Sequence, residues 1–265
     1  MIEQAEWISL ALVAVAFILL ALAERVRTFR APALPRARRW RTNLAIFALD
    51  TLLVRLTVPL LMIGTALWAK EAGFGLFNQI DLPGWIAVLA SFLLLDLALW
   101  VQHLATHRVP ILWRLHKVHH ADPELDVTTA ARFHPIEMLL SMGFKMGIVA
   151  LAGAPPLAVI LFELGYMLGS LFNHANLRLP AWLDTALRRV LVTPDMHRIH
   201  HSTYMRETNS NYGTLLSLWD RLLGTYTRDP EEGRDRITLG LAEYQDARPA
   251  KLGWSLTLPF RRPEG

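Results

Sequence analysis

Cysteine is absent from this chain of 265 residues. The absence excludes disulfide bonds, thiolate metal ligands and a cysteine nucleophile, so any metal ion must be held by histidine, aspartate or glutamate. Charge is scarce as well, since 19% of the residues are charged whereas 53% are hydrophobic. This balance is more apolar than that of an ordinary soluble domain, and it indicates a membrane protein.

Motifs for several other chemistries are also missing from the sequence. It has no His-Glu-x-x-His motif of a zinc hydrolase, no glycine-rich dinucleotide loop and no His-Pro-Gly-Gly motif of a fused cytochrome b5. Arginines cluster in residues 24–43, between two long apolar stretches, where the positive-inside rule explains them better than nucleic-acid binding does. We therefore expect no nucleic-acid partner.

Apolar stretches predict an all-α integral membrane bundle. They comprise residues 7–23, 44–69, 85–102 and 136–172. The first three are close to or above the length of a membrane-spanning helix. Gly153 and the Pro155-Pro156 pair split the fourth, which predicts either two further spans or a re-entrant helical hairpin. The arginine cluster then orients the N-terminus outward and places a helical cap with every histidine on the cytoplasmic side.

Six of the ten histidines form two copies of one spacing. The copies are His116-x-x-His119-His120 and His197-x-x-His200-His201. In a helix, offsets of three and four residues lie on one face, so each copy predicts a triplet of imidazoles aimed at one point. His103 and His107, one turn apart, predict a pair of the same kind.

Clustered imidazoles indicate metal binding. Imidazole is the commonest protein ligand of transition metals, and it suits zinc, copper, iron and nickel. The eight histidines of these clusters exceed the three or four that one zinc site uses, so their number predicts two metal ions. A pair of metals held by imidazole beside membrane helices suggests oxygen activation by iron against a C–H bond.

The clusters and the sequence around them resemble the fatty acid hydroxylase and sterol desaturase superfamily of integral-membrane diiron enzymes. The similar segments are "LLLDLALWVQHLATHR", "LWRLHKVHHADPELDVTTAARFHPIE", "FNHANLRLP", "TPDMHRIHHS" and "NSNYGTLLSLWDRLLGTY". The bacterial sterol-desaturase-like branch, near alkylglycerol monooxygenase, is the most similar. The resemblance divides the chain into N-terminal transmembrane helices with an arginine-rich loop (1–84), a catalytic domain (85–228) and a cytoplasmic tail (229–265).

The resemblance also implies which residues bind the metals. The implied ligands are His103, His107, His116, His119, His120, His174, His197, His200 and His201. His134, in "RFHPIE", is implied either as a ligand or as a residue that supports one. Asp96 and Asp195 are candidates to support the site, because metal-bound imidazoles usually donate their other N–H to a carboxylate or carbonyl. Glu163 is a further candidate, since an unpaired carboxylate within an apolar helix is costly and requires either a polar partner or the metal site as its neighbour.

The implied activity is hydroxylation of a C–H bond in a membrane lipid, of fatty acyl, sterol-like or ether type, with two iron ions and O₂. Each turnover needs two electrons from a separate ferredoxin, or from a cytochrome b5-type donor with its reductase. The expected location is a bacterial inner membrane. Desaturation at the same site, zinc-dependent hydrolysis and non-enzymatic metal binding or transport remain alternatives. The sequence leaves the lipid, the carbon attacked and the oligomeric state open.

Overall fold

The computed structural model describes residues 2–32, 34–58 and 60–261. Within these ranges the regular secondary structure is helical, and extended residues pair only through isolated bridges. The helices are α1 (Ile2–Val26), α2 (Arg36–Thr57), α3 (Met62–Glu71), α4 (Gly84–Arg108), α5 (Pro110–His120), α6 (Pro135–Ala152), α7 (Pro156–His174), α8 (Ala181–Leu187), α9 (Pro194–His200), α10 (Met205–Thr208), α11 (Leu218–Leu222) and α12 (Leu252–Thr257).

Five helical segments of the described chain are long and apolar enough to cross a membrane. They are Trp7–Val26, Arg36–Asn78, Gly84–Arg108, Pro135–Ala152 and Pro156–His174. The second of these segments joins α2 to α3. The predicted all-α bundle is confirmed, and the apolar region 136–172 forms two candidate spans, α6 and α7.

The turn between α6 and α7 follows from a glycine and two prolines. Gly153 ends α6 in the left-handed conformation (φ 63°, ψ 40°), which a residue with a Cβ rarely adopts. A Cβ at this position would also lie 2.9 Å from the carbonyl oxygen of Phe74. Pro156 occupies the first position of α7, where a helix leaves the backbone N–H without a partner in any case. The predicted interruption of the apolar region is therefore confirmed.

A buried apolar cluster joins α3, α4, α6 and α7. Its buried members are Met62, Ala66, Leu95, Leu99, Val149, Ala152, Ala154, Val159 and Phe162. Close packing of such side chains fixes the helices relative to one another. As a result, the C-terminal ends of α4 and α7 lie at the same end of the bundle, and both ends carry histidines.

One arginine of the arginine-rich segment is buried. Arg39, on α2, is 2% exposed and forms ion pairs with Asp122 (Nη2–Oδ2, 2.8 Å) and Asp126 (Nη1–Oδ2, 2.6 Å). A buried guanidinium requires such partners, because burial of an unpaired charge is strongly unfavourable. Besides the topological role predicted for the cluster, Arg39 therefore joins α2 to the loop that follows α5.

Candidate metal centre

Nine histidines gather into two adjacent groups at one end of the bundle. The first group consists of His103, His107, His116, His120 and His200, and the second consists of His119, His174, His197 and His201. Within each group, one ring nitrogen of every residue lies within 4.8 Å of the others. The rings of His120 and His201 stack across the boundary with centroids 4.4 Å apart. The structure therefore brings together all nine histidines that the resemblance implied as ligands.

The two His-x-x-His-His motifs divide their residues between both groups. In α5, His116 and His120 join the first group, whereas His119 joins the second. In the copy that begins in α9, His197 and His201 join the second group, whereas His200 joins the first. Residues four apart are rotated by about 40° around a helix axis, whereas residues three apart are rotated by about 60° in the opposite sense. The prediction that each triplet is aimed at one point is therefore wrong, because each motif serves two points.

Backbone carbonyl groups fix the orientation of four histidine rings. The Nδ1–O distances are 2.6 Å for His103 to Tyr212, 2.7 Å for His200 to Ser210, 2.8 Å for His174 to Ser170 and 3.2 Å for His119 to Arg132. A carbonyl oxygen can only accept, so each Nδ1 carries the hydrogen and each Nε2 presents a bare lone pair. Contacts of this kind fix the tautomer of metal-binding imidazoles.

A carboxylate holds a fifth ring. Glu137, on the first turn of α6, places Oε1 at 2.6 Å from Nδ1 of His116, and both side chains are buried. Nε2 of His116 is buried without a hydrogen-bond partner among the described residues. Glu137 is the kind of carboxylate partner that metal-bound histidines usually have, and it was not among the carboxylates predicted from the sequence. The available signal was an acidic residue in the first turn of an apolar helix, directly after "FHP".

The second group places bare nitrogens too close together to be stable without a cation. Because His119 and His174 both donate from Nδ1, neither ring has a hydrogen on Nε2, yet these two Nε2 atoms lie 3.1 Å apart. Two lone pairs at this distance repel each other, whereas a metal ion with bonds of about 2.1 Å to nitrogen would bind both. In the first group, both ring nitrogens of His107 and of His120 are buried without partners in the described part of the chain. The donor set fits metal ions at both groups.

Burial keeps five histidines of the cap uncharged. It lowers their pKa because desolvation disfavours the imidazolium form, and neighbouring histidines add repulsion. The residues with a pKa well below the ordinary value of 6.5 are His119, His120, His197 and His201, together with His200, whose pKa falls to about 3. Neutral imidazole is the form that binds metals.

His134 lies outside both groups. It caps the N-terminus of α6, where its Nδ1 accepts a hydrogen bond from the backbone N–H of Ile136 (3.2 Å). Its Nε2 lies 3.2 Å from the carbonyl oxygen of Leu256 and donates to it. Since both nitrogens are used in this way, His134 links α6 to the C-terminal tail and lies outside both histidine groups.

The three predicted supporting carboxylates lie beside other partners. Asp96 accepts a hydrogen bond from Nε1 of Trp219 (2.7 Å), and Asp195 pairs with Arg198 (2.5 Å). Glu163 interacts electrostatically with the buried Lys145 on α6. Asp96 thus accepts from a tryptophan and Asp195 pairs with an arginine, whereas the carboxylate of Glu137 contacts a histidine ring.

A small cleft opens beside the histidines. Both groups contribute to its wall, through residues such as His116 and His174. The remaining lining residues include apolar and hydroxyl side chains from α4, α6, α7 and two loops, namely Leu99, Thr106, Phe133, Met138, Ser141, Tyr166, Ser170 and Thr214. Because histidines of both groups line the same cleft, a molecular segment that enters it can approach both groups at once.

The fold and site thus define a helical membrane protein with two adjacent all-histidine groups. Residues 88–225 match the family model for fatty acid hydroxylase, and the chain belongs to this family. The resemblance of the sequence to this family is thereby confirmed.

Named relatives in this family are lipid hydroxylases and monooxygenases. An ornithine lipid hydroxylase from Rhizobium tropici is 33% identical over 144 residues, which cover 54% of this chain and 42% of that protein. Human cholesterol 25-hydroxylase is 31% identical over 140 residues (52% and 50%), and human alkylglycerol monooxygenase is 27% identical over 150 residues (54% and 31%). The matches span half or less of the length of these relatives. No solved structure matches the chain.

Proposed function

We propose that the protein is a membrane-bound lipid hydroxylase whose two histidine groups each hold one iron ion. The observation that carries the proposal is the convergence of nine buried imidazoles, four of which present a bare Nε2 because a carbonyl group holds their Nδ1. The names of the relatives support hydroxylation of a lipid. Imidazole donors suit iron, as they suit other transition metals.

When bound, two irons would supply the activation of O₂, one oxygen atom entering a C–H bond and the other leaving as water with two protons and two external electrons. The electrons come from a separate donor of ferredoxin or cytochrome b5 type. The N-terminal and catalytic parts divide near residue 84, the tail begins near residue 229, and the histidine end of the bundle faces the cytoplasm of a bacterial inner membrane.

The residues of this chain bind, orient and exclude water. The carbonyl groups and Glu137 hold hydrogens at Nδ1, so that Nε2 stays free for the metal in the correct tautomer. Leu99 and Met138 line the cleft next to the histidines and keep water from the reacting carbon. A lipid chain enters between α4, α6 and α7, whose apolar surfaces match its hydrocarbon.

The cleft also indicates which part of the lipid reacts. Hydroxyl groups of Ser141, Tyr166 and Ser170 line it close to the histidines, and the carboxylate of Glu137 lies in the same wall. Polar groups of this kind pair with polar atoms of a ligand more readily than with a plain alkyl chain. We therefore place the reacting carbon near the polar part of the lipid.

The experiment is metal analysis and turnover of protein purified without air. We expect about two irons per chain, oxygen uptake with a bacterial lipid extract and a chemical reductant with ferredoxin, and a product that contains one heavy oxygen from isotopically labelled O₂. Zinc in place of iron, without oxygen uptake, would contradict the proposal. A product that has lost two hydrogens and gained no oxygen would identify a desaturase at the same site.

A further inference from the structure

The loop of residues 212–223 runs down the side of α4, away from the histidine groups. At the end of the loop nearest the histidine groups, the carbonyl oxygen of Tyr212 lies 2.6 Å from Nδ1 of His103. Farther from the histidine groups, Trp219 of the same loop donates a hydrogen bond from Nε1 to Asp96 (2.7 Å). Asp96 precedes His103 by seven residues, which is about 10 Å along a helix axis. The loop therefore extends about two turns along a candidate membrane span.

A second span places the loop at the same depth. A Cβ on Gly169 would lie 2.9 Å from Cδ1 of Leu215, and one on Gly165 would lie 3.2 Å from its Cδ2. Leu215 therefore fills the space that these two glycines leave on α7. They precede His174 by five and nine residues, or about 7.5 and 13.5 Å along the axis. Contacts with α4 and α7 thus independently locate the loop on the membrane side of the histidines.

The outer face of the loop is apolar. Leu218, Leu222 and Leu223 are 39%, 66% and 52% exposed, and Arg221 lies exposed between them. Val190, also exposed, adjoins this face because its carbonyl accepts the N–H of Ser217 (2.9 Å). A short apolar face edged by arginine is typical of segments that lie at the boundary between lipid headgroups and acyl chains.

We propose that residues 212–223 form a re-entrant segment seated in the same bilayer that holds the spans, with the three leucines among the acyl chains. Lipid is favoured over a protein partner because the loop lies alongside α4 and α7 at a level where lipid surrounds membrane spans. The nearby arginine suits the phosphate of a headgroup. Thr214 of the same segment lines the cleft, so the segment separates the cleft from the bilayer.

The absence of cysteine allows a direct test in the full-length protein. Leu222→Cys and, separately, Leu223→Cys are labelled with an environment-sensitive fluorophore and reconstituted into phosphatidylcholine and phosphatidylglycerol vesicles. Quenching is measured with lipids that carry a nitroxide on the acyl chain and with iodide in water. Leu94→Cys, on the exposed side of α4, is the membrane control, and Ala242→Cys, on the exposed surface of the cap, is the aqueous control.

The proposal predicts that acyl-chain nitroxides quench the labels at 222 and 223 at least about twofold more strongly than the label at 242, with iodide quenching close to that at 94. Iodide quenching as strong as at residue 242 would show that the face is in water and would overturn the proposal. Protection from both quenchers would show a protein neighbour and would overturn it as well. An unchanged metal content of each labelled protein establishes that it is folded.

Discussion

The ring of Phe133 lies parallel to the ring of His119, with centroids 4.4 Å apart and 8° between the planes. His119 is thereby fixed on one face by Phe133 and at Nδ1 by the adjacent carbonyl of Arg132 (3.2 Å). A ring held in this way would lose little further freedom on binding a metal, so Arg132 and Phe133 preorganise His119 as a donor of the second group.

Replacement of His119 by alanine removes one of the four donors of the second group. We expect the metal content to fall from about two ions per chain to about one, because three donors at most remain there whereas the first group is untouched. Elemental analysis of the purified variant measures this. His134→Ala is the matched control: it should keep the full metal content and lose about 1 kcal/mol of stability with its helix cap. Equal metal loss in both variants would contradict the assignment.

Glu137→Gln tests whether the carboxylate positions His116. Glutamine keeps an acceptor but loses the charge, and we expect metal affinity at the first group to fall by about 10- to 100-fold. The affinity is measured by competition with a chelator, and the metal environment by the visible or electron paramagnetic resonance spectrum of the metal-loaded protein. Glu137→Ala should lower the metal affinity further. Glu137→Asp, whose side chain is one methylene shorter, should have an affinity between those of the glutamine and alanine variants. The exposed Glu243→Gln should leave affinity and spectrum unchanged, and a spectrum unaltered in Glu137→Gln would argue against the positioning role.

Arg39→Lys keeps the positive charge but loses the planar guanidinium group and its bidentate hydrogen bonding. In the native protein Nε and Nη2 of Arg39 both bond Asp122 at 2.8 Å, and Nη1 bonds Asp126. We expect Arg39→Lys to lower the free energy of unfolding by about 1–3 kcal/mol and Arg39→Ala by about 3–5 kcal/mol. Thermal unfolding in detergent measures both. Arg41→Lys, at an exposed position of the same helix, should change stability by less than about 0.5 kcal/mol.

Gly213→Ala tests how tightly the loop of residues 212–223 is packed. A Cβ on Gly213 would lie 2.7 Å from the backbone oxygen of Leu216 and 2.9 Å from Oδ2 of Asp220. The backbone must shift to accept it, so we expect a loss of about 1–3 kcal/mol in thermal unfolding. Gly143→Ala is the control, since a Cβ there meets nothing within 4 Å. Comparable loss in both variants would show that the effect is not local to the loop.

Local sequence patterns predicted the candidate spans and the histidine clusters because both depend on short periodicities. Apolar runs give helices of span length, and Gly153 with its prolines gives the turn. Eight of the nine clustered histidines repeat at helical spacing, whereas His174 was implied by the family resemblance, and all nine meet in the structure. Features of this kind are encoded within a few turns of one helix.

The partners of these residues could not be predicted, because each joins distant parts of the chain. His116 and Glu137 are 21 residues apart, and Arg39 and Asp122 are 83 apart. Asp96 seemed a histidine partner from its spacing to His103, but packing of residues 212–223 against α4 gives it to Trp219. Which histidine of a motif joins which group likewise depends on where a second helix approaches.

The division of each His-x-x-His-His motif between two groups couples the helices that carry them. A rotation of α5 by one residue would turn His116, His119 and His120 through about 100° together. Both groups would then lose the histidines that this helix supplies. A shift in the register of α5 or α9 would therefore disturb both groups. The two groups can therefore form only together, as one structural unit that depends on the register of both helices.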